Sequence, residues 1–409
     1  MRICVMSTIF PIISETFVME HVTSLLNNEF DVHVLADREV DAAWESLGTY
    51  QAELKPLVWH YQRPVNKISR IRGVLRHALY HIFNGSYEYF NSWNILRFGK
   101  YSASLNLPYV YNAALLLGSV DILHCHFGPN GIVGAHLKKL GIIKKLIVTF
   151  HGYDVSLLLK DGRHNNDYRP VFEEADLILP VSEFWYQKLL EIGAPSSRMY
   201  VHRMGIDIDQ FSYQERIAKD GEIRLITTAR FVEKKGLAYA IKAVAHVKNM
   251  RPDINIKYDI IGDGCLWNEI QELIASLGVT EYIKLHGSLP HNRVKVLLAE
   301  ADVFILPSVT ATDGDQEGIP VSLMEAMACG MPVLSTWHSG IPELVEHDVS
   351  GFLVPERDFI DLAEKIICLY DHPEKWSEFG TAGRAKVEKE YNKEIQSALL
   401  IDRYKQLSH

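Results

Sequence analysis

Seven residues separate two carboxylates in the segment Glu317-Gly318-Ile319-Pro320-Val321-Ser322-Leu323-Met324-Glu325. Val321, Leu323, Met324 and Met327 form an apolar helical stripe that ends at Gly330, ahead of a further β-rich run. Pro320 suits a first helical turn, where its missing N–H costs nothing. Gly318 lets the backbone approach a ligand closely, and the N–H groups that follow, near Ile319 and Val321, make a positive pole suited to an anion. If the whole segment were helical, the two carboxylates would stand about 12 Å apart. That span suits a nucleotide-sugar gripped at the sugar by one glutamate and at the ribose by the other.

A second candidate lies upstream. The run Ile223–Arg230 reads as a strand and leads into Arg230-Phe231-Val232-Glu233-Lys234-Lys235-Gly236, with a helix to follow. Arg230 and Lys235 at a strand's carboxyl end suit a diphosphate, one as a planar fork and the other as a mobile point charge; a solvated loop is the bland alternative. Gly262-Asp263-Gly264 and His286-Gly287 each close a further strand, and their backbone groups would line the same rim and meet a base. Neither is the G-x-G-x-x-G of a dinucleotide site. Asp313-Gly314-Asp315 has the D-x-D form used elsewhere to hold a metal against a diphosphate. With Arg230, Lys235 and helix N–H groups serving the phosphates, Asp315 reads instead as a contact to sugar hydroxyls or acceptor.

In the first half, His151-Gly152-Tyr153-Asp154 sits at a strand end, where His151 can point toward a ligand with Asp154 as its partner. The bland reading of such a histidine is structural. His124 and His126 share one face of a strand, and His77 and His81 lie one helical turn apart. Metal binding is the sharp reading for each pair, but no third ligand has the spacing, and buried histidine is the simpler account.

Elements must position these residues. Strands are expected at Arg2–Thr8, Asp31–Asp37, Asp121–Phe127, Leu146–His151, Leu177–Val181 and Met199–Met204, with helices at Ser14–Asn27, Ile132–Leu140 and Phe184–Ile192. The second half repeats the alternation, with strands at Ile223–Arg230, Ile256–Ile261, Ile283–His286, Val303–Pro307, Val333–Ser335 and Phe352–Val354. Its helices are Leu237–Lys248, Leu266–Ser276, Arg293–Ala299, Val321–Ala328, Pro342–Glu346 and Ile360–Tyr370. Such alternation predicts an α/β chain with two doubly wound parallel sheets, whose ligands sit at the strands' carboxyl ends. The expected division is 1–210, 211–384 and a C-terminal helix over 385–409 that packs back on the first domain.

At 409 residues the length suits two domains, and 47% apolar with 23% charged residues suits large cores. A net charge of −9 leaves no footprint for nucleic acid. The apolar run after Met1 is too short for a signal peptide and reads as a buried strand. No run approaches the ~18 apolar residues of a membrane span. Five scattered cysteines suit reduced thiols in a cytosolic setting. One segment departs from the pattern. Residues 63–100 carry Arg63, Lys67, Arg70, Arg72, Arg76, Arg97 and Lys100 against Glu88 alone, interleaved with aromatic and aliphatic side chains. It opens a helical insertion over 63–118 that can lie on an anionic membrane; the alternative is a hairpin that shows a basic face to water or to an acidic substrate.

Together these motifs resemble the retaining family-four glycosyltransferases of the GT-B fold, whose hallmark is E-x7-E. The resemblance rests on Arg230, Lys235-Gly236, Gly262-Asp263-Gly264, His286-Gly287, Glu317-x7-Glu325, Phe10-Pro11 with Ser14-Glu15-Thr16-Phe17, His124-x-His126 and His151-Gly152-x-Asp154. The branch it resembles acts in bacterial exopolysaccharide, colanic-acid-like or O-antigen assembly. Many relatives carry a Gly-Gly loop after the first strand, where this chain has Pro11–Ser14. The resemblance implies two Rossmann-like domains facing a cleft and a UDP- or GDP-sugar donor. It further implies a lipid-linked oligosaccharide acceptor at the inner face of the cytoplasmic membrane, with no metal or other cofactor. It implies that Arg230 and Lys235 neutralise the diphosphate, Glu325 holds the ribose, and Glu317 with Gly318, Ile319, Pro320 and Val321 holds the sugar. His151 would serve the anomeric centre or the C6 hydroxyl, and Ser14, Glu15, His126, Asp154 and Asp315 would lie on the acceptor side. A non-catalytic nucleotide-sugar binder, or an epimerase or phosphorylase on the same fold, are the alternatives.

Overall fold

Alternating apolar runs and helix-period segments fold into two compact units, Met1–Pro180 with Tyr186–His202 and Ser397–His409, and Val181–Trp185 with Arg203–Gln396. The structure is a computed structural model that describes residues 1–12, 15–41, 44, 50–159, 168–218 and 221–408. Ser14 of the expected acceptor side lies outside the described residues.

In unit 1, β1 (Arg2–Ile9), β2 (Asp31–Arg38), β3 (Val58–His60), β4 (Val120–His126), β5 (Ile143–Phe150) and β6 (Leu177–Pro180) form one sheet in the order β3-β2-β1-β4-β5-β6. In unit 2, β7 (Glu222–Thr228), β8 (Asn255–Ile261), β9 (Ile283–Leu285), β10 (Val303–Ile305), β11 (Val333–Thr336) and β12 (Gly351–Val354) take the order β12-β11-β10-β7-β8-β9. The strand pairs are parallel throughout. Parallel strands covered by helices on both faces need continuous apolar runs, and β10, β11 and β12 supply them, buried along their whole length. Each sheet reverses direction beside its first strand, at β1/β4 and at β7/β10. Doubly wound sheets open their ligand crevice at such a point, outside the strands' carboxyl ends.

Several boundaries differ from the sequence reading. Met199–Met204 is not a strand; Met199 makes a single bridge to Ile178, and Tyr200 and His202 donate their N–H groups to Ile178 and Pro180 along the sheet edge. β3 carries only Val58–His60, too short for an alternation to show. The first helix starts at Thr16, and the helix expected from Ile132 starts at Gly128, with Pro129 in its first turn. The C-terminal tail is two helices, Glu374–Glu390 and Lys393–Ser408. They break at Asn392, where Ile206 bridges to the chain and accepts the Lys393 N–H. The residues from Ser397 onward belong to unit 1, where Leu400 and Tyr404 join the core under β1 and β2. The helix Val321–Ala328 matches its expected bounds. Glu317 therefore lies on the loop ahead of it and only Glu325 on the helix, so an all-helical separation does not apply.

Candidate functional site

In unit 2 the site is built at the carboxyl ends of β7 and β10. β7 delivers Arg230 to the surface, exposed and with no ion pair among the described residues. A single turn, Glu233–Lys235, then turns the chain through Gly236 at φ +65° into the helix Leu237–Met250. A Cβ on Gly236 would stand 1.8 Å from the Pro307 carbonyl oxygen beyond β10, so only glycine fits. This contact places Lys234 and Lys235 against the loop that carries Glu317.

Lys235 Nζ stands 2.8 Å from Glu317 Oε1, and both side chains are largely buried, at 13% and 8% exposed. A carboxylate oxygen has two lone pairs, so the buried Oε1 keeps acceptor capacity for a hydroxyl beside Lys235. Burial pushes the Glu317 carboxyl up, but the Lys235 and Lys234 charges outweigh it and hold the pKa below the ordinary 4.5. Lys234 is paired with Asp315 at 3.0 Å, and the Asp315 N–H is itself tied to Asp313 Oδ1. Asp315 thus braces the loop through a buried lysine, and the D-x-D pattern is a turn.

Around Glu317 runs a shell that its spacing did not reveal. Its N–H donates to His338 Nε2 at 3.1 Å, and His338 Nδ1 meets Glu356 Oε1 at 2.6 Å. Glu356 also accepts the N–H and hydroxyl of Thr310. Burial raises the Glu356 pKa, yet these hydrogen bonds from Thr310 and His338 hold it below its ordinary value. The Glu317 carbonyl receives Trp185 Nε1 and Ser339 Oγ. Glu356 and His338 follow the ends of β12 and β11, so the strand-end rule would have pointed to them.

The helix Val321–Ala328 opens after Pro320, whose extended backbone carries no capping side chain. Its first N–H groups are therefore available to an anion. Ile319 and Pro320 are buried while Gly318, Val321 and Glu325 are half-buried along this edge. Gly262 takes φ +134°, and a Cβ there would meet the Ala229 carbonyl oxygen at 1.9 Å. Its N–H is used by the Gly287 carbonyl, Gly264 N–H by Asp263, and Phe231 N–H by the Asp263 carbonyl. These contacts hold the Arg230 loop against the end of β8, so neither glycine N–H is left for a base. His286 is likewise engaged with Asp259, at 2.5 Å.

In unit 1 the ends of β4 and β5 bring histidines together. The register pairs His126 with Thr149 and His124 with Ile147. His126 Nδ1 meets His151 Nε2 at 3.0 Å, and His126 Nε2 meets His21 Nδ1 at 2.9 Å. His21 Nε2 reaches the Tyr404 hydroxyl at 2.7 Å, which also meets His124 Nδ1; His124 Nε2 meets Thr149 Oγ1 at 2.7 Å. Phe17 and Phe127 pack on the half-buried His151 ring, with centroids at 4.5 and 4.6 Å. Burial, reinforced by neighbouring histidines, lowers the pKa of His151 to about 3 and those of His21, His124 and His126 well below 6.5. Burial alone takes His202 to about 4. Asp154 is fully buried, and its oxygens accept the N–H groups of His151, Gly152 and Gly128 at 2.9, 3.0 and 2.9 Å. It holds the His151 loop by its backbone, and burial raises its pKa to about 6 against those hydrogen bonds. Glu15 precedes the helix Thr16–Asn27 and is half-buried.

Arg230 at the end of one strand, an uncapped helix start and a buried Lys–Glu pair thus belong to one unit, and comparison with known proteins gives the family. Residues 209–386 match the model of the glycosyl transferases group 1, and residues 96–210 that of Glycosyltransferase Family 4. The chain is 36% identical over 396 residues to the putative colanic acid biosynthesis glycosyltransferase WcaL of Escherichia coli K12, covering 94% of this chain and 95% of that protein. It is 37% identical over 404 residues to the amylovoran biosynthesis glycosyltransferase AmsK of Erwinia amylovora, covering 96% and 97%. Among solved structures, Anabaena Alr3699/HepE in complex with UDP and glucose matches with a TM-score of 0.74 at 17% identity, over 99% of this chain and 100% of that one. The chain belongs to the group 1, family-four glycosyltransferases, a retaining family, and has their GT-B fold.

Proposed function

We propose that this enzyme moves a hexose from a UDP- or GDP-sugar to a lipid-linked oligosaccharide during assembly of a bacterial surface polysaccharide. The observation that carries the donor half is the buried Lys235–Glu317 pair, in the same unit as an uncapped helix start and an exposed Arg230 with no ion pair among the described residues. Arg230 and Lys235 take the diphosphate, whose charge grows as the glycosidic bond breaks; charge set in advance for that moment is usually the largest catalytic contribution. Glu317 accepts from sugar hydroxyls, Glu325 from the ribose, and His151 serves the transferred sugar. The acceptor oxygen attacks the anomeric carbon on the face from which the diphosphate leaves. The acceptor's proton passes to a leaving phosphate oxygen, and the anomeric configuration is kept. No covalent sugar–enzyme bond is invoked, because Glu317 is engaged with Lys235. The named relatives in colanic acid and amylovoran synthesis support the polysaccharide reading.

The helix Lys67–Phe83 supports a membrane-borne acceptor. Ile68, Ile71, Leu75, Leu79 and Ile82 follow a helical spacing of three and four on its outer face and are 44–62% exposed. A cavity of about 550 Å³ beside it is lined by Arg72, Arg76, His77 and Tyr109 and by no carboxylate. An apolar stripe flanked by unopposed arginines suits an anionic bilayer surface. Among the described residues no helix is long and apolar enough to cross a membrane.

The test is release of UDP or GDP from a donor panel with membrane extract as acceptor. Arg230→Ala and Glu317→Gln should abolish it; unchanged turnover in both variants defeats the assignment. Sedimentation with phosphatidylglycerol vesicles should show binding that high salt weakens. Binding absent at low salt removes the membrane element.

A further inference from the structure

Six side chains of unit 1 form one unbranched hydrogen-bonded chain, Thr149–His124–Tyr404–His21–His126–His151. Each internal histidine uses both ring nitrogens. A neutral imidazole has one donor and one acceptor nitrogen, so the chain must be polarised in a single direction from end to end. The polarity is decided at Thr149. That residue is 3% exposed, and its hydroxyl has no partner among the described residues other than His124. If the hydroxyl accepted from His124, its own hydrogen would be orphaned in the interior. An unfilled acceptor lone pair is the cheaper vacancy, so the hydroxyl donates. From there His124 Nδ1–H donates to Tyr404, Tyr404 to His21 Nε2, His21 Nδ1–H to His126 Nε2, and His126 Nδ1–H to His151 Nε2.

We propose that this chain fixes His151 as a neutral imidazole protonated on Nδ1, a hydrogen-bond donor toward an oxygen of the transferred sugar or acceptor. Thr149, His124, Tyr404, His21 and His126 are its positioning residues. The inference rests on the reading that His151 serves the transferred sugar, and it changes that role: His151 donates, and is not a general base. Nδ1 has no partner among the described residues, which leaves it for substrate. Tyr404 brings the helix Lys393–Ser408 into the chain, so that helix takes part in setting the tautomer of His151.

The test is nitrogen NMR of full-length protein labelled with 15N-histidine at neutral pH, with His151→Gln to assign the signal. His151 should show a pyrrole-type Nδ1 and a pyridine-type Nε2. Thr149→Ser keeps the hydroxyl and should keep this pattern. Thr149→Val should average or reverse it, and Tyr404→Phe, which cuts the chain in the middle, should do the same. Thermal unfolding establishes that each variant is folded, and if Thr149→Val is not, Tyr404→Phe decides. A proton on Nε2 of His151 in the unaltered protein overturns the proposal. So does an unchanged His151 pattern in the folded variants that break the chain. These spectra need no donor sugar, so their failure is distinct from failure of the transferase assay.

Discussion

Replacing Lys235 with methionine leaves Glu317 buried beside one fewer cation. At 2.8 Å the pair is worth roughly 6 kcal/mol of Coulomb attraction at an effective dielectric of about 20. Desolvation offsets part of this, and breaking a buried pair by removing one partner costs about 3–5 kcal/mol. Lys234 remains near but is committed to Asp315, which places the loss at about 3 kcal/mol. For a unit of this size that corresponds to a fall in Tm of roughly 6–12 °C. The pH dependence carries a sign. In the native protein the Glu317 pKa is lowered, so its contribution is present above 4.5 and lost as pH falls through the folded value. Without Lys235 the upward push of burial loses its chief opponent, and the variant's deficit should grow as pH rises. Urea unfolding followed by tryptophan fluorescence at pH 5 and pH 8 measures this. The double variant Lys235→Met with Glu317→Gln should recover most of the stability and none of the turnover. A single variant within about 0.5 kcal/mol of the parent at pH 8 refutes the reasoning. A deficit equal at both pH values refutes it as well.

Arg230→Ala, at an exposed position with no ion pair among the described residues, should change stability by no more than about 0.5 kcal/mol while lowering turnover by ~100-fold or more. A melting point that falls with activity would assign Arg230 to the fold. Gly236→Ala must accommodate φ +65° and a Cβ 1.8 Å from the Pro307 oxygen, so it should cost about 2 kcal/mol or more in calorimetry and weaken donor binding in titration calorimetry. Acid should destabilise unit 1. His21, His124, His126, His151 and His202 have folded pKa values below 6.5, so the unfolded chain binds protons first and stability is lost as pH falls below that value. Each contributes up to about 1.4 kcal/mol per pH unit. Asp154, raised to about 6, works in the opposite direction between pH 6 and 4 but is one group against these five histidines. Urea midpoints that stay level from pH 7 to pH 5 would contradict this.

Much of the fold was legible because parallel strands covered on both faces need unbroken apolar runs, and helices between them need a period of 3.6. Ile223–Arg230 and Val303–Pro307 announced strands in this way, and Val321–Ala328 announced a helix by its proline, stripe and glycine. The edges were less legible. β3 has three residues and Met199–Met204 a single bridge, so neither carries enough alternation to distinguish a strand from an extended edge.

The sequence by itself determined the class of chemistry, since Glu317, Glu325, Arg230 and Lys235 are local signals whose spacing and placement after apolar runs survive without coordinates. Only the tertiary structure decided what those groups do to one another. Glu317 owes its lowered pKa to lysines 82 and 83 positions upstream, as the numbering gives, brought there by a glycine that lets two strand-end loops touch. Asp154 is a buried clamp on the His151 loop because its oxygens face backbone N–H groups. His21 and Tyr404 lie 383 positions apart and share a hydrogen bond. Sequence spacing can report neighbours on one element, where helix and strand periods fix geometry, whereas partners across elements depend on strand order, register and the path of the tail.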